Sequence, residues 1–338
     1  MTTYLAFSPN LKFLENDREW LEMIRQELAQ IALTIARFEP VTVLVRAAEQ
    51  ALAQQYMGDR VRYLVCELDD FWLRDTGCVF TRGPDGSTQA VDFNFNGWGN
   101  KQAHEQDSRV AQFMAKAEGV PLVSSTLVLE GGGVEIDGAG TALLTRSCVL
   151  NPNRNPGQSP ADVEAELARL FGVTHTIWLP GTTSPYDITD GHIDIYARFV
   201  HPGIVVAQVA PSYWGKKEYE LSMHHIDLLR QASDAKGNPL QVHVLAAPRK
   251  GKSRLNNPAY MRESSRGLCT AAEGYANFYV CSGAVLVPEF GDTEVDHAAQ
   301  QLLAALFPEK QIIALTIDGI AAAGGGIHCV TMEGPCSN

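Results

Sequence analysis

Residues Leu127–Leu179 read LVLEGGGVEIDGAGTALLTRSCVLNPNRNPGQSPADVEAELARLFGVTHTIWL. Apolar and β-branched residues flank the Asp137-Gly138 dipeptide, so Leu127 to Val149 reads as a strand, a tight turn and a second strand. Asn151 to Ser159 is a Pro/Asn loop. Ser159-Pro160-Ala161-Asp162 then supplies a cap and an early proline, which together open a helix. Thr176 to Leu179 follows as a further strand. The unit is strand-rich with one helix.

The same order recurs outward in both directions. Upstream, helical spacing of Leu21, Ile24, Leu28, Ile31 and Leu33 marks Asp17 to Ala36 as a helix. Val41 to Val45 is a buried strand, Ala47 to Gln55 a short helix, and Tyr63 to Leu68 and Gly77 to Thr81 are strands. Gly83-Pro84-Asp85-Gly86 is a turn signal. Gln89 to Phe95 is a strand and Gln102 to Glu118 a helix. Downstream, strands are expected at His192 to Val200, Ile204 to Val209, Gln241 to Ala246, within Tyr275 to Val287, and at Gln311 to Thr316. Helices are expected at Lys217 to Gln231 and Glu294 to Leu306. Two or three strands and one helix thus repeat about five times, without a direct sequence repeat. One α/β domain over residues 1–338 is expected. Such units can stand radially, as in propellers, or form a mixed α/β sandwich.

The 338 residues are 45% hydrophobic and 20% charged, with a net charge of −12. Nucleic acid and anionic membranes want basic patches, so this balance argues against both and suits a cationic ligand. The seven cysteines, Cys66, Cys78, Cys148, Cys269, Cys281, Cys329 and Cys336, form no CxxC pair. They read as reduced thiols. The first 17 residues lack a basic start followed by a long apolar run, and no 18-residue apolar stretch exists. A cytoplasmic location is the expectation.

Gly324-Gly325-Gly326-Ile327-His328-Cys329 places a thiol after a glycine run that lets backbone approach a ligand closely. Arg74-Asp75-Thr76-Gly77 and Asp190-Gly191-His192-Ile193-Asp194 add carboxylates and an imidazole. If 192–194 is extended, His192 and Asp194 share a side. Glu130 ends an apolar run at a glycine turn. Trp98, between two glycines, can stack on a cation or anchor a loop. His328 beside the thiol points to the opposite face if extended, and Cys78 reads as packing. Arg249-Lys250-Gly251-Lys252 reads as a solvated loop.

A thiol, a histidine and several carboxylates suit attack on a cationic carbon. A guanidinium is planar and permanently charged, and its donors match carboxylates in pairs.

Trp72-Leu73-Arg74-Asp75-Thr76-Gly77, Phe95-Asn96-Gly97-Trp98-Gly99-Asn100-Lys101, Leu129-Glu130-Gly131-Gly132, Leu150-Asn151-Pro152-Asn153-Arg154-Asn155-Pro156, Thr189-Asp190-Gly191-His192-Ile193-Asp194, Asn277-Phe278-Tyr279, Val287-Pro288-Glu289-Phe290-Gly291-Asp292 and Gly324-Gly325-Gly326-Ile327-His328-Cys329 stand in this order. Together they resemble the agmatine deiminase family, which includes the bacterial-type peptidylarginine deiminases. The resemblance runs from about Asp69 to Glu333. It implies a five-fold pseudo-symmetric α/β propeller (pentein type) of the guanidino-group-modifying superfamily. It also implies Cys329 as nucleophile, His192 as general acid/base, Glu130 as its carboxylate partner, and Asp75 and Asp194 as guanidinium-binding carboxylates. Trp98, Asp187 and Asp190 are further substrate-binding candidates. The implied reaction passes through a covalent thiouronium and releases ammonia and a ureido product, without metal or organic cofactor. Agmatine would give N-carbamoylputrescine, in polyamine metabolism. Family members often form homodimers.

Ile188 stands where agmatine-type members carry an acid. Free or peptide-borne arginine and other small guanidines are therefore alternative substrates. An amidinotransferase and a non-catalytic guanidine binder are the remaining readings.

Overall fold

The helix Pro160–Phe171 shows how the local code is executed. Ser159 and Asp162 form a reciprocal capping box, with Pro160 in the first turn and Gly172 left-handed at φ 69° after the last. Capping satisfies backbone N–H groups that the first turn leaves without partners. Val163, Leu167 and Leu170 bury one stripe of this helix. Each fully buried aliphatic side chain contributes about 1.5–3 kcal/mol.

The structure is a computed structural model that describes residues 2–10, 17–83, 85–182, 184, 187–256 and 271–335. Pro84, Cys269 and Cys336, together with residues 1 and 11–16, lie outside the described residues. Five small sheets carry the fold. The strands are β1 (Thr2–Ala6), β2 (Val41–Val45), β3 (Arg62–Val65), β4 (Val79–Arg82), β5 (Thr88–Asp92), β6 (Leu122–Ser124), β7 (Val134–Ile136) and β8 (Thr141–Thr145). They continue as β9 (His175–Leu179), β10 (Ala197–His201), β11 (Ile204–Gln208), β12 (Gln241–Leu245), β13 (Tyr279–Val280), β14 (Ala284–Glu289), β15 (Gln311–Thr316) and β16 (Thr331–Gly334).

Four sheets share one plan. Their first two strands are antiparallel (β4–β5, β7–β8, β10–β11, β13–β14). A crossover through one helix brings in a third strand parallel to the second (β6, β9, β12, β15). Parallel neighbours need such crossovers, which explains the regular alternation. The crossover helices are Val110–Glu118, Pro160–Phe171, Lys216–Gln231 and Thr293–Leu306.

The fifth sheet has the same plan cut open by the chain termini. β16 pairs antiparallel with β1, and the helix Arg18–Ile35 leads to β2, parallel to β1; β3 extends the edge. The chain is a mixed α/β protein of pentein type, with five units closed by strands from opposite ends.

Ion pairs tie the units together. Arg74, just before β4, meets Glu333 on β16 with Nη1–Oε2 at 2.7 Å. Arg198 on β10 meets Glu135 on β7 at 2.8 Å and donates to the Phe278 carbonyl at 2.9 Å. No helix among the described residues is long and apolar enough to cross a membrane.

Several expectations change in detail. His192 to Val200 is not a continuous strand: a helical turn, Ile193–Tyr196, precedes β10. Leu127 to Glu130 is outside any strand, and Arg146–Val149 is a helical turn rather than strand. Asp75 lies in a single helical turn, Leu73–Thr76. The helix expected from Gln102 begins at Val110, after the tight turn Asp107–Arg109. Three of these changes, at Asp75, Leu127–Glu130 and Ile193–Tyr196, fall at the junctions between units, where the chain must reverse direction and alternation gives no guide; the other two fall where a second strand leads into its crossover helix.

Candidate active site

Each junction between successive units delivers one piece of the site. Asp75 lies between β3 and β4, Glu130 between β6 and β7, His192 and Asp194 between β9 and β10. Asn277 lies between β12 and β13, and Cys329 between β15 and β16. Residues far apart in sequence converge because all five junctions meet at one end of the ring.

A cavity of about 310 Å³ opens there, lined by Asp75, His192 and Cys329 with the aromatic faces of Phe71, Trp72 and Trp98. Ile24, Ile188, Ile195 and Ala323 make its apolar wall, and Asn10, Asp70, Lys101 and Gln102 also reach it.

The Cys329 thiol lies 3.6 Å from Asp194 Oδ2, and the Cys329 N–H donates to Asn277 Oδ1 at 3.2 Å. The Arg74 N–H donates to the Cys329 carbonyl at 3.1 Å. The thiol thus sits on a turn pinned from two other junctions. Burial, and then the charges of Asp194 and Asp75, push its pKa well above the ordinary value. The resting thiol is therefore protonated.

Asp75 is held on both oxygens: Trp98 Nε1–H donates to Oδ2 at 3.0 Å and the Gly132 N–H to Oδ1 at 3.1 Å. Asp194 Oδ2 accepts from His328 Nδ1 at 2.8 Å. Among the described residues, nothing donates to Asp194 Oδ1, which is fully buried. Burial raises both carboxylates, Asp194 to about 6. Two buried acids without a cation between them are costly, and a cation would relieve that cost.

His192 Nε2 lies 3.2 Å from Glu130 Oε2, and Nδ1 lies 3.7 Å from Asp75 Oδ1. Burial disfavours its charged form, but Asp75, Cys148 and Glu130 outweigh that and hold the pKa well above the usual value. Glu130 is wholly buried rather than a solvated strand end. Burial would raise it, yet Arg154 and His192 keep it below the usual range. Arg154 Nε bonds both Glu130 oxygens at 2.9 Å, and Nη1 bonds Asp190 Oδ2 at 2.7 Å.

The structure therefore gathers Cys329, His192, Glu130, Asp75, Asp194 and Trp98. Trp98 is buried and donates to Asp75 while lining the cavity. Asp190 and Asp187 are not among the residues lining the cavity. Asp190 Oδ2 is taken by Arg154, Lys101 and Asn153 at 2.7, 2.7 and 3.0 Å. Asp187 Oδ1 accepts the N–H and hydroxyl of Thr189 at 2.9 and 2.6 Å. Both carboxylates brace the loop before His192 instead of facing a ligand.

His328 corrects the expectation that it points away. Residues 327–330 form a turn, not an extended segment, so its ring reaches Asp194. Arg154 and Asn277 were visible only as members of short motifs; their partners depend on contacts 24 and 52 residues away. Cys78 is buried, as packing requires, and Arg249 pairs with Asp292 and Glu294 at the surface.

Residues 2–335 match the family described as Porphyromonas-type peptidyl-arginine deiminase. A Streptomyces coelicolor protein, provisionally named an agmatine deiminase, is 38% identical, covering 98% of this chain and 95% of its own. A Streptococcus mutans protein of the same provisional name is 33% identical, covering 96% and 90%. The solved agmatine deiminase of Enterococcus faecalis superposes with a TM-score of 0.86 at 27% identity, covering 98% and 92%. A DDAH structure from Pseudomonas aeruginosa, 10% identical with a TM-score of 0.51 and 98% of each chain covered, shares the fold. The chain belongs to the Porphyromonas-type peptidyl-arginine deiminase family.

Proposed function

We propose that this protein hydrolyses the guanidinium of a small cation to a ureido group and ammonia, with agmatine as the leading substrate. The observation that carries this reading is the open acceptor of Asp194. Its Oδ1 is buried without a donor among the described residues, its other oxygen lies 3.6 Å from the Cys329 thiol, and Asp75 and Cys329 line the cavity. A guanidinium supplies paired N–H donors and a second positive charge beside that of His192, which together match two buried carboxylates. The names of the relatives support agmatine in particular.

The chemistry follows from the charges. A bound guanidinium offsets Asp75 and Asp194, the two charges that raise the Cys329 thiol, so the thiol loses its proton when substrate is present. The thiolate adds to the central carbon. His192, held as imidazolium by Asp75 and Glu130, gives its proton to one nitrogen; the C–N bond breaks and ammonia leaves. A thiouronium on Cys329 remains. Neutral His192 then takes a proton from water, and the hydroxide adds to the same carbon. The hydroxyl proton passes through solvent to the released ammonia as the C–S bond breaks, freeing the ureido product and the thiolate. Agmatine gives N-carbamoylputrescine; arginine, free or in a peptide, would give citrulline.

The test is ammonia and ureido product release against agmatine, free arginine, 4-guanidinobutyrate and a blocked arginyl peptide. Preference for agmatine is expected, with no turnover by Cys329→Ala. Full turnover by that variant would overturn the mechanism, and preference for another guanidine would replace the substrate while leaving the chemistry. Binding without ammonia release would support a guanidine binder.

A further inference from the structure

The mechanism above makes no use of Cys148, yet this thiol sits against its acid/base pair. Cys148 lies in the helical turn after β8 and is fully buried. Its Sγ is 3.8 Å from Glu130 Oε2, the oxygen that also meets His192 Nε2 at 3.2 Å. One ligand atom from each of Glu130, Cys148 and His192 lies within 4.8 Å of the others. We propose that these three side chains form a binding site for zinc or a similar thiophilic divalent cation, and that its occupation reversibly switches the enzyme off.

The spacing fits the ion. Zinc bonds thiolate sulfur at about 2.3 Å and imidazole nitrogen or carboxylate oxygen at about 2.0–2.2 Å, with tetrahedral angles, so its donor atoms stand roughly 3.3–3.6 Å apart. The Glu130 pairs at 3.2 and 3.8 Å need shifts of only a few tenths of an ångström, and the His192–Cys148 pair, within 4.8 Å, has to close by at most about 1.5 Å. The donor set of thiolate, imidazole and carboxylate is one that zinc prefers over magnesium or calcium. Three protein ligands leave a fourth position for water.

Charge balances as well. Binding expels the Cys148 thiol proton and the His192 imidazolium proton. Two charges on the ion replace two protons, and the buried pocket keeps its net charge. Arg154, on both Glu130 oxygens and on Asp190, holds the carboxylate ligand in place from behind. His192 lines the cavity, which gives the ion its way in. With Nε2 on the metal, His192 keeps only its Nδ1 proton and is no longer an imidazolium, so it is too weak an acid to protonate the departing nitrogen and turnover stops. This effect on turnover rests on the proposed role of His192; binding of the ion does not.

The experiment uses Co²⁺ as a spectroscopic probe and Zn²⁺ in competition with a chromophoric chelator, on the whole chain. Thiolate ligation produces a sulfur-to-cobalt charge-transfer band. The band is expected at one ion per chain, retained in Cys329→Ala, and lost in Cys148→Ala, Cys148→Ser and His192→Ala, each checked for native circular dichroism. Zinc is expected to inhibit turnover, and Cys148→Ser to weaken that inhibition at least tenfold. A band that survives in both Cys148 variants, or that disappears only with Cys329, overturns the site. No band at all overturns it too, whether or not any guanidine is turned over.

Discussion

His328 Nδ1 and Asp194 Oδ2 are hydrogen-bonded at 2.8 Å, and the other Asp194 oxygen is buried with no donor among the described residues. Burial, with the positive charges of Arg198, Arg74 and His192, holds His328 well below its ordinary pKa, so it is a neutral donor. It fixes the rotation of the carboxylate without neutralising it. His328→Ala is expected to lower kcat/KM by about 10²-fold, the scale of a misplaced contact. His328→Asn offers an amide donor and should recover part of the loss, mostly in KM. Equal, unrescued losses in kcat for both variants would point to a role in proton transfer.

Gly132 is the place where a single methyl group would enter the site. A Cβ there would stand 2.6 Å from His192 Nδ1, 2.9 Å from Asp75 Oδ1 and 3.1 Å from Asp194 Oδ2. Gly132→Ala should therefore lose at least about 10²-fold in kcat/KM through displaced catalytic groups. At Gly133 the same group meets Leu129 and Cys148 at 3.1 and 3.5 Å instead, and Gly133→Ala should lose less. Steady-state kinetics on the two variants decide it; equal activities would contradict the placement of the three groups.

Asp194 sets the acid side of the pH profile. Burial and the charge of Asp75 raise it to about 6, with His192 acting in the opposite direction. A cation needs the ionised form, so kcat/KM should fall as pH drops through about 6, where a free carboxylate would hold until about 4. A profile of kcat/KM between about pH 4.5 and 8 locates this limb. A limb near pH 4 would mean that Asp194 is not the group whose ionisation gates binding.

Glu27 carries the clearest stability prediction. Its carboxylate accepts the N–H groups of Gly319 and Ile320 from within the protein, and burial raises its pKa to about 8. The folded value lies above the unfolded one, so the folded state binds the extra proton. This contribution is full below about pH 4.5 and is lost as pH rises toward about 8. Thermal unfolding across that range should show stability falling with pH, and Glu27→Gln should flatten the slope. Asp107, also raised to about 8 by burial and Asp70, adds a decline of the same sign in both proteins.

The repeating order of strands and helices was legible because each unit is local: Asp137-Gly138, the Ser159 cap and Gly172 all act within a few residues. The fifth unit was not. β1 and β16 pair across more than 300 residues, and neither carries a turn or cap that announces its partner. The site followed the same rule. Asp75, Glu130, His192, Asp194 and Cys329 declare themselves by residue type beside glycine-rich turns. Their geometry comes from helical turns at the junctions, so alternation along a strand was the wrong rule for His192 and Asp194, and for His328. The nearness of Asp187 and Asp190 to His192 in sequence says nothing of Thr189, Arg154 and Lys101, which bond their carboxylates.

The pairing of β16 with β1 has a consequence for a chain made from its N-terminus onward. Four junctions can be in place while the ribosome is still at work, yet the reactive thiol arrives on the fifth, followed at once by the strand that locks to the beginning of the chain. The Arg74–Glu333 ion pair forms only once β16 is in place, and Arg74 is the residue whose N–H holds the Cys329 carbonyl. A chain in which β16 has not yet paired with β1 thus holds four junctions without the one that carries Cys329.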